Sequence, residues 1–326
     1  MQIKNNIQDL IIQKSLASKL KYVPEKYLNT PVDISEELRK TIDAQPRDNS
    51  VSHNDEIAKI SLNLAKQNNI SIENISIVGV NCYKVKPAVI SKDYKDILII
   101  GVHGGGYINY PGVASTLESV LLASTFGCEV LCVDYRQLPD YPYPHGLNDL
   151  VSIWKNITKD KDASNIAMAG SSAGAALIMA FIHRAKEENL AKPAVLFLGS
   201  PAADLSRDTD SVNVNEWVDN VLVSYDEYMG KIAKMYADGL DVKNIGISPY
   251  YGDLSDFPPS ILATGTRDML LSATIKTHRK LRSCGVDAQL HVFEAMSHCQ
   301  YLASPDIPEG EELRKEIKYF FDRYLK

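Results

Sequence analysis

Ser172 lies in Gly170-Ser171-Ser172-Ala173-Gly174, and upstream of it runs His103-Gly104-Gly105-Gly106-Tyr107. The first segment fits G-x-S-x-G, the pattern of a serine exposed on a tight turn between a strand and a helix. The second is a flexible glycine run that follows an apolar strand. Together they offer what acyl transfer needs: a nucleophile, and backbone N–H groups for the oxyanion it creates. A serine hydroxyl attacks only when a base takes its proton. His298, in a loop after the last apolar run, is the expected base, because imidazole titrates near neutrality. Asp268 follows another apolar run directly and is expected to hold the imidazole tautomer and stabilise the imidazolium. Gly105, Gly106 and Ala173 are the expected amide donors.

Other residues of the same types compete for these roles. Ser171 precedes the position expected of the nucleophile. Among the histidines, His103 precedes the glycines and is expected to shape their loop, His183 and His278 fall on helices, His291 falls within a strand, and His53 and His145 lie in less regular stretches. Asp253, Asp256 and Glu294 compete with Asp268, the ordinary alternative for each being a solvated surface charge. The glycine run could also cradle phosphate, but no G-K-[ST] follows it. Tyr107, Trp217, Tyr225 and Met229 are candidates for the substrate-binding wall, the bland alternative for the last three being ordinary core packing. Asp134, Arg136 and the Pro142-Tyr143-Pro144 segment are expected to brace loops.

These residues need a scaffold, and the chain supplies a regular one. Apolar runs at 97–102, 130–135, 166–170, 194–198, 261–265 and 289–293 alternate with helix-length stretches at 113–126, 147–157, 173–190, 273–284 and 311–325. Runs apolar on both faces suit strands buried in a parallel sheet. Their alternation with helices predicts βαβ units, and hence an α/β fold with a mostly parallel central sheet. Ligands in such sheets bind beyond the carboxyl ends of the strands, where the glycine run, Ser172 and Asp268 all fall. Residues 72–89 read as antiparallel edge strands. Residues 1–70 read as an N-terminal helical arm, with a capped helix start near Asp33-Ile34-Ser35-Glu36-Glu37. Residues 71–326 read as the catalytic domain. An insertion at about 204–247, helix-like over 223–240, is expected to join the arm as a cap over the strand ends.

Composition narrows the function classes. The formal charge of -6 and the lack of a basic stripe argue against nucleic acid. No apolar run approaches the ~20 residues of a membrane helix, and the N-terminus lacks a signal-peptide pattern, so a cytoplasmic protein without stable membrane association is expected. The five cysteines are scattered and show no C-x-x-C spacing, which suits buried free thiols better than a disulfide frame or a zinc site.

The motifs together resemble the bacterial hormone-sensitive-lipase-like esterases of the α/β-hydrolase superfamily. His103 to Gly106 is similar to that family's HGGG. Asp134-Tyr135-Arg136, Pro139, Tyr141 to Pro144 and Asp149 resemble its D-Y-R-L-A-P-E…P-F-P stretch, Gly170 to Gly174 resembles G-D-S-A-G, and Ser200-Pro201 with Asp204-Leu205 resembles a later S-P-x-x-D-L signature. The likeness runs from about residue 70 to the end. It implies an α/β-hydrolase fold with a helical cap. It also implies a carboxylic ester hydrolase acting on short- to medium-chain acyl esters, with no cofactor and no metal. A small neutral ester is the first expected substrate, with lactones opened through the same acyl-serine. Amide or peptide cleavage, and a non-catalytic binding protein on the same scaffold, are the alternatives. Relatives often pair, so a homodimer is also expected. The chain departs from the pattern in three places. Ser171 replaces the usual Asp before the nucleophile, removing a nearby charge. Gln137-Leu138 and Asp140 alter the L-A-P-E run, and Ser297-His298-Cys299-Gln300-Tyr301 alters the surroundings of the base.

Overall fold

A computed structural model describes residues 28–302 and 307–325. The first 27 positions of the expected N-terminal arm lie outside the described residues. Residues 31–326 form one compact unit, organised around an eight-stranded sheet.

Its strands are β1 (Ile70–Ile77), β2 (Val80–Pro87), β3 (Leu98–Val102), β4 (Glu129–Asp134), β5 (Ile166–Ser171), β6 (Val195–Gly199), β7 (Ser260–Gly265) and β8 (Ala288–Phe293), in the order β1-β2-β4-β3-β5-β6-β7-β8. From β4 to β8 every pairing is parallel, whereas β2 pairs antiparallel with both β1 and β4. The edge hairpin is therefore the antiparallel pair expected near residues 72–89.

The central strands are buried on both faces because their successive side chains enter two separate cores. In β3, Ile100 and Val102 enter one core while Ile99 enters the other. In β6, Leu196 and Leu198 face one side, and Val195 and Phe197 the other. Over the first face pack α4 (His145–Ile157) and α5 (Ala173–Glu187), carrying Trp154 and Phe181 edge to face with centroids 5.4 Å apart. Over the second pack α3 (Leu117–Phe126) and α9 (Pro308–Phe321), through Val120, Phe126, Phe320 and Phe321. Truncating one such aromatic to alanine costs about 3–5 kcal/mol in comparable cores.

Among the described residues two helices precede the sheet, α1 (Glu36–Asp43) and α2 (Asn54–Gln67). The α1 start follows the capping logic read from its sequence: Ser35 Oγ accepts the Leu38 N–H at 3.0 Å, and Glu36 and Glu37 occupy the positive first turn. The insertion between β6 and β7 is less helical than its sequence suggests. It contains α6 (Asp210–Val214), a single π turn (Tyr225–Met229) and α7 (Gly230–Ala237). Between β7 and β8 lies α8 (Leu271–Ser283).

Candidate active site

Ser172 stands between β5 and α5 with φ 56° and ψ -122°, a backbone region that non-glycine residues seldom adopt. The turn is pinned by a hydrogen bond from its N–H to Gly199 O at 2.7 Å. It is also crowded. A Cβ on Gly170 would come within 2.3 Å of Val102 O, and one on Gly174 within 1.9 Å of the same atom. Only glycine lets the elbow approach β3 this closely.

The His298 ring meets this serine. Its Nε2 lies 2.8 Å from Ser172 Oγ, and its Nδ1 lies 3.1 Å from Asp268 Oδ1. Asp268 is fully buried and directed by two further bonds, from Thr264 Oγ1 at 2.9 Å and from the Leu270 N–H at 2.7 Å. The competing residues go elsewhere. His183 bonds Pro249 O, His278 bonds Ala288 O, and Asp253 pairs with Lys186. His103 is buried, which pulls its pKa down to about 4. It stacks on Tyr135 with centroids 4.5 Å apart and bonds Gly104 O, the loop-shaping role its sequence position suggests.

The glycine loop turns back on itself through positive φ at Gly105 (104°) and Gly106 (63°). It is braced from β4 and the segment after it: Tyr135 Oη donates to His103 O, and Gln137 Nε2 donates to Asn109 O. Arg136 grips Asp149 through Nε and Nη2, which anchors that segment to α4. Among the described residues, no turn or loop backbone hydrogen bond is donated by the N–H of Gly105, Gly106 or Ala173. The α5 N-terminus adds the positive end of its dipole.

Two opposing effects set the ionisation of His298. Burial disfavours the imidazolium. The adjacent Cys299 sulfur, 3.5 Å from Nε2, and the Asp268 carboxylate outweigh that cost and hold the pKa above the ordinary histidine value. For Asp268 burial again opposes the charge, and His298 reverses it, so the carboxyl sits below its usual range.

A residue without a sequence signal completes the arrangement. Asp219, from the insertion, is fully buried. Its Oδ2 accepts the Met269 N–H at 2.9 Å. Its Oδ1 accepts those of Val221 at 2.9 Å and Leu222 at 3.1 Å, with the His298 N–H farther off at 3.4 Å. One carboxylate thus touches the residue after the acid, the backbone of the base and its own loop. Burial and then repulsion from Asp268 push its pKa up to about 6. The partners that tie it to the site, the amides of Met269 and His298, lie 50 and 79 positions away, so no local pattern marks that role.

Ser171 does not lack a carboxyl neighbour, as its replacement of Asp suggests. Its Oγ bonds Glu118 Oε1 at 2.7 Å and Tyr301 Oη at 2.9 Å. Glu118 reaches this place from α3, and burial pushes its pKa up to about 7.

Ser172 and His298 open on a cavity of about 340 Å³, while Asp268 stays buried behind the imidazole. Tyr107 and Met229 line it, as do Leu222, Tyr228 and Ile232 of the insertion. Trp217 and Tyr225 do not belong to that lining. Trp217 is 63% exposed, and Tyr225 turns its hydroxyl to Leu205 O at 2.9 Å. Their aromatic character gave no information on direction within an irregular segment. Tyr228, three residues past Tyr225, takes the wall position instead.

Among the described residues, no cluster of three or more His, Cys, Asp or Glu is arranged to hold a metal ion, and no helix is long and apolar enough to cross a membrane. All five cysteines are free.

The comparisons with known proteins agree with this chemistry. The model of a family described by its alpha/beta hydrolase fold matches residues 99–302. An esterase of Acinetobacter venetianus is 25% identical over 257 residues, covering 77% of this chain and 82% of that protein. The crystal structure of an esterase named E25 superimposes with a TM-score of 0.89 at 33% identity, covering 94% of this chain and all of that one. A hormone-sensitive lipase from a metagenome library gives a TM-score of 0.76 at 25% identity, over 89% and 97% of the two chains. The chain therefore belongs to the alpha/beta hydrolase fold family, and within it is a hormone-sensitive-lipase-like serine hydrolase of the carboxylesterase type.

Proposed function

We propose that the protein hydrolyses short- to medium-chain acyl esters, and lactones, through an acyl-Ser172 intermediate. The observation that carries this reading is the 2.8 Å approach of His298 Nε2 to Ser172 Oγ, backed by the 3.1 Å contact of Nδ1 with Asp268. In the first half-reaction Ser172 Oγ bonds the ester carbonyl carbon while its proton passes to His298 Nε2. The N–H groups of Gly105, Gly106 and Ala173 receive the oxyanion. Collapse breaks the bond to the alkoxide, which takes the proton from His298. Water then repeats the sequence against the acyl group, with His298 again as base, and releases the carboxylic acid. In a lactone the leaving alkoxide stays tethered to the acyl group throughout, and the second step releases a single hydroxy acid.

In this reading residues 31–70 of the N-terminal arm and the insertion, residues 204–247, form the cap, the arm's first 27 positions lying outside the described residues. Tyr107 and Met229 form part of the substrate wall. The assignment carries no cofactor, no nucleic-acid partner, a cytoplasmic setting and a homodimer. The acidic balance and the free thiols are consistent with the solution chemistry this requires.

The test is covalent. A fluorophosphonate probe should label Ser172, and Ser172→Ala should lose both labelling and ester turnover while keeping the wild-type circular dichroism. Parallel assays on aryl butyrate and the matching anilide separate esterase from amidase. Turnover retained by Ser172→Ala would refute the assignment.

A further inference from the structure

Beyond the reacting groups, the cavity holds one guanidinium whose pairing is incomplete. Arg47 lines the same cavity as Ser172. Its Nε is buried and has no hydrogen-bond partner, and no carboxylate among the described residues pairs with it. Other arginines are used differently: Arg136 binds Asp149, Arg207 binds Glu216 and Arg323 binds Asp287. A buried donor left without an acceptor is costly, so such groups are normally satisfied.

The position of Arg47 is built. Its backbone N–H donates to Asn220 O at 2.8 Å, and Asn49 Nδ2 donates to Val221 O at 2.9 Å. Asn220 Nδ2 returns a bond to Thr41 O at 3.0 Å. These contacts fasten the segment carrying Arg47 to the Asp219 loop, and so beside the base. The guanidinium carbon lies over the Tyr110 ring, 5.4 Å from its centroid. Tyr228 lines the same cavity. The Tyr228 hydroxyl accepts from Asn109 Nδ2 at 3.0 Å and would lie 3.7 Å from a Cβ on Gly106. Both Arg47 and His298 act on its ionisation, favouring the phenolate against burial. Arg47, Tyr228, His298 and Ser172 thus line one cavity, in which an ester bound at Ser172 can present its tail to the guanidinium.

We propose that Arg47 binds a carboxylate carried by the ester, so that the preferred substrate is an acidic ester, such as the half-ester of a short dicarboxylic acid. This rests on the esterase reading above and replaces the small neutral ester expected from the motifs. The guanidinium edge presents parallel N–H donors that match the two oxygens of a carboxylate. The rest of the wall, which includes Leu222, Met229 and Ile232, carries no other Arg or Lys, and its His53 lies 3.5 Å from Glu56.

The experiment compares kcat/KM for charged and neutral ester pairs in wild type, Arg47→Met and Arg47→Lys. One pair carries the carboxylate on the acyl side, 4-nitrophenyl hemiglutarate against 4-nitrophenyl valerate. The other carries it on the alcohol side, 3-acetoxybenzoate against phenyl acetate. The readout is the ratio within each pair, from which any general loss in a variant cancels. Arg47→Met should lower the ratio about 10–100-fold in one pair, the range for a lost charge-assisted bond. Arg47→Lys should lower it less, because the charge remains without the fork. The affected pair identifies the side of the ester that faces Arg47. Ratios within twofold of wild type in both pairs for Arg47→Met would overturn the proposal. If wild type still turned over the neutral esters and took the fluorophosphonate at Ser172, the esterase reading would survive that result. Absence of both turnover and labelling would instead overturn the reading beneath it.

Discussion

Replacing Asp219 separates a structural bond from a catalytic one. In Asp219→Ala the N–H groups of Val221, Leu222 and Met269 lose acceptors at 2.9, 3.1 and 2.9 Å, and the His298 N–H loses a longer contact. Each buried donor left unsatisfied costs about 1–3 kcal/mol, and water entering the space vacated by the carboxyl recovers part of it. We therefore expect a net loss of about 3–5 kcal/mol in urea unfolding. Asp219→Asn should be milder, about 1–3 kcal/mol, because its carbonyl oxygen can keep the Val221 and Leu222 bonds while its NH₂ faces the Met269 N–H. Both changes also loosen the acid and base loops together, so kcat should fall further than kcat/KM is altered through KM. In a serine protease, disturbing the acid's hold on the imidazole costs about 10⁴. Asp219 touches only the backbone of that pair, so a loss of about 10–10² in kcat is expected. The assay is steady-state turnover of an aryl ester below the unfolding transition, beside the urea titration. An Asp219→Ala protein within 1 kcal/mol of wild-type stability and threefold of its kcat would refute the bracing argument.

Two further outcomes follow from the ionisation of the site. Because His298 acts as a base only when neutral, and its pKa is held above the usual value, the acid limb of kcat/KM should have its midpoint above about 6.5. Activity should thus be lost as pH falls through that midpoint, and Cys299→Ala should move the limb to lower pH, since it removes one group that favours the imidazolium; a limb at or below 6.5 would contradict the site as described. Ser171→Asp should destabilise the fold by about 3–5 kcal/mol at neutral pH, because it sets a second carboxyl against buried Glu118. That cost should shrink in acid as the pair takes up protons, and a pH-independent stability would count against it.

Much of the scaffold was legible because its signals are local. The central strands announce themselves as apolar runs, since both faces are buried, and β3, β5 and β7 each end at a residue run that carries chemistry. Ser172 was legible for the same reason: glycines at 170 and 174 are demanded by a backbone oxygen that a Cβ would strike. The insertion was harder to read. Trp217 and Tyr225 looked as suitable for a wall as Tyr228, but direction in an irregular segment is set by distant hydrogen bonds, such as the one from Tyr225 Oη to Leu205 O. Asp219 and Glu118 were invisible for a related reason. One serves backbone amides reached across 50 and 79 positions, and the other a serine 53 positions away, and composition carries no trace of such partnerships.

The pairing of Ser171 with Glu118 restricts how this chain can drift. The acid that Ser171 contacts beneath the elbow is delivered here from α3 and not from the position before the nucleophile. A lineage moving between the two arrangements must pass through an ancestor carrying either two acids or none. Substitutions at 118 and 171 should therefore be inherited as linked changes, with Tyr301 following whichever side holds the carboxyl.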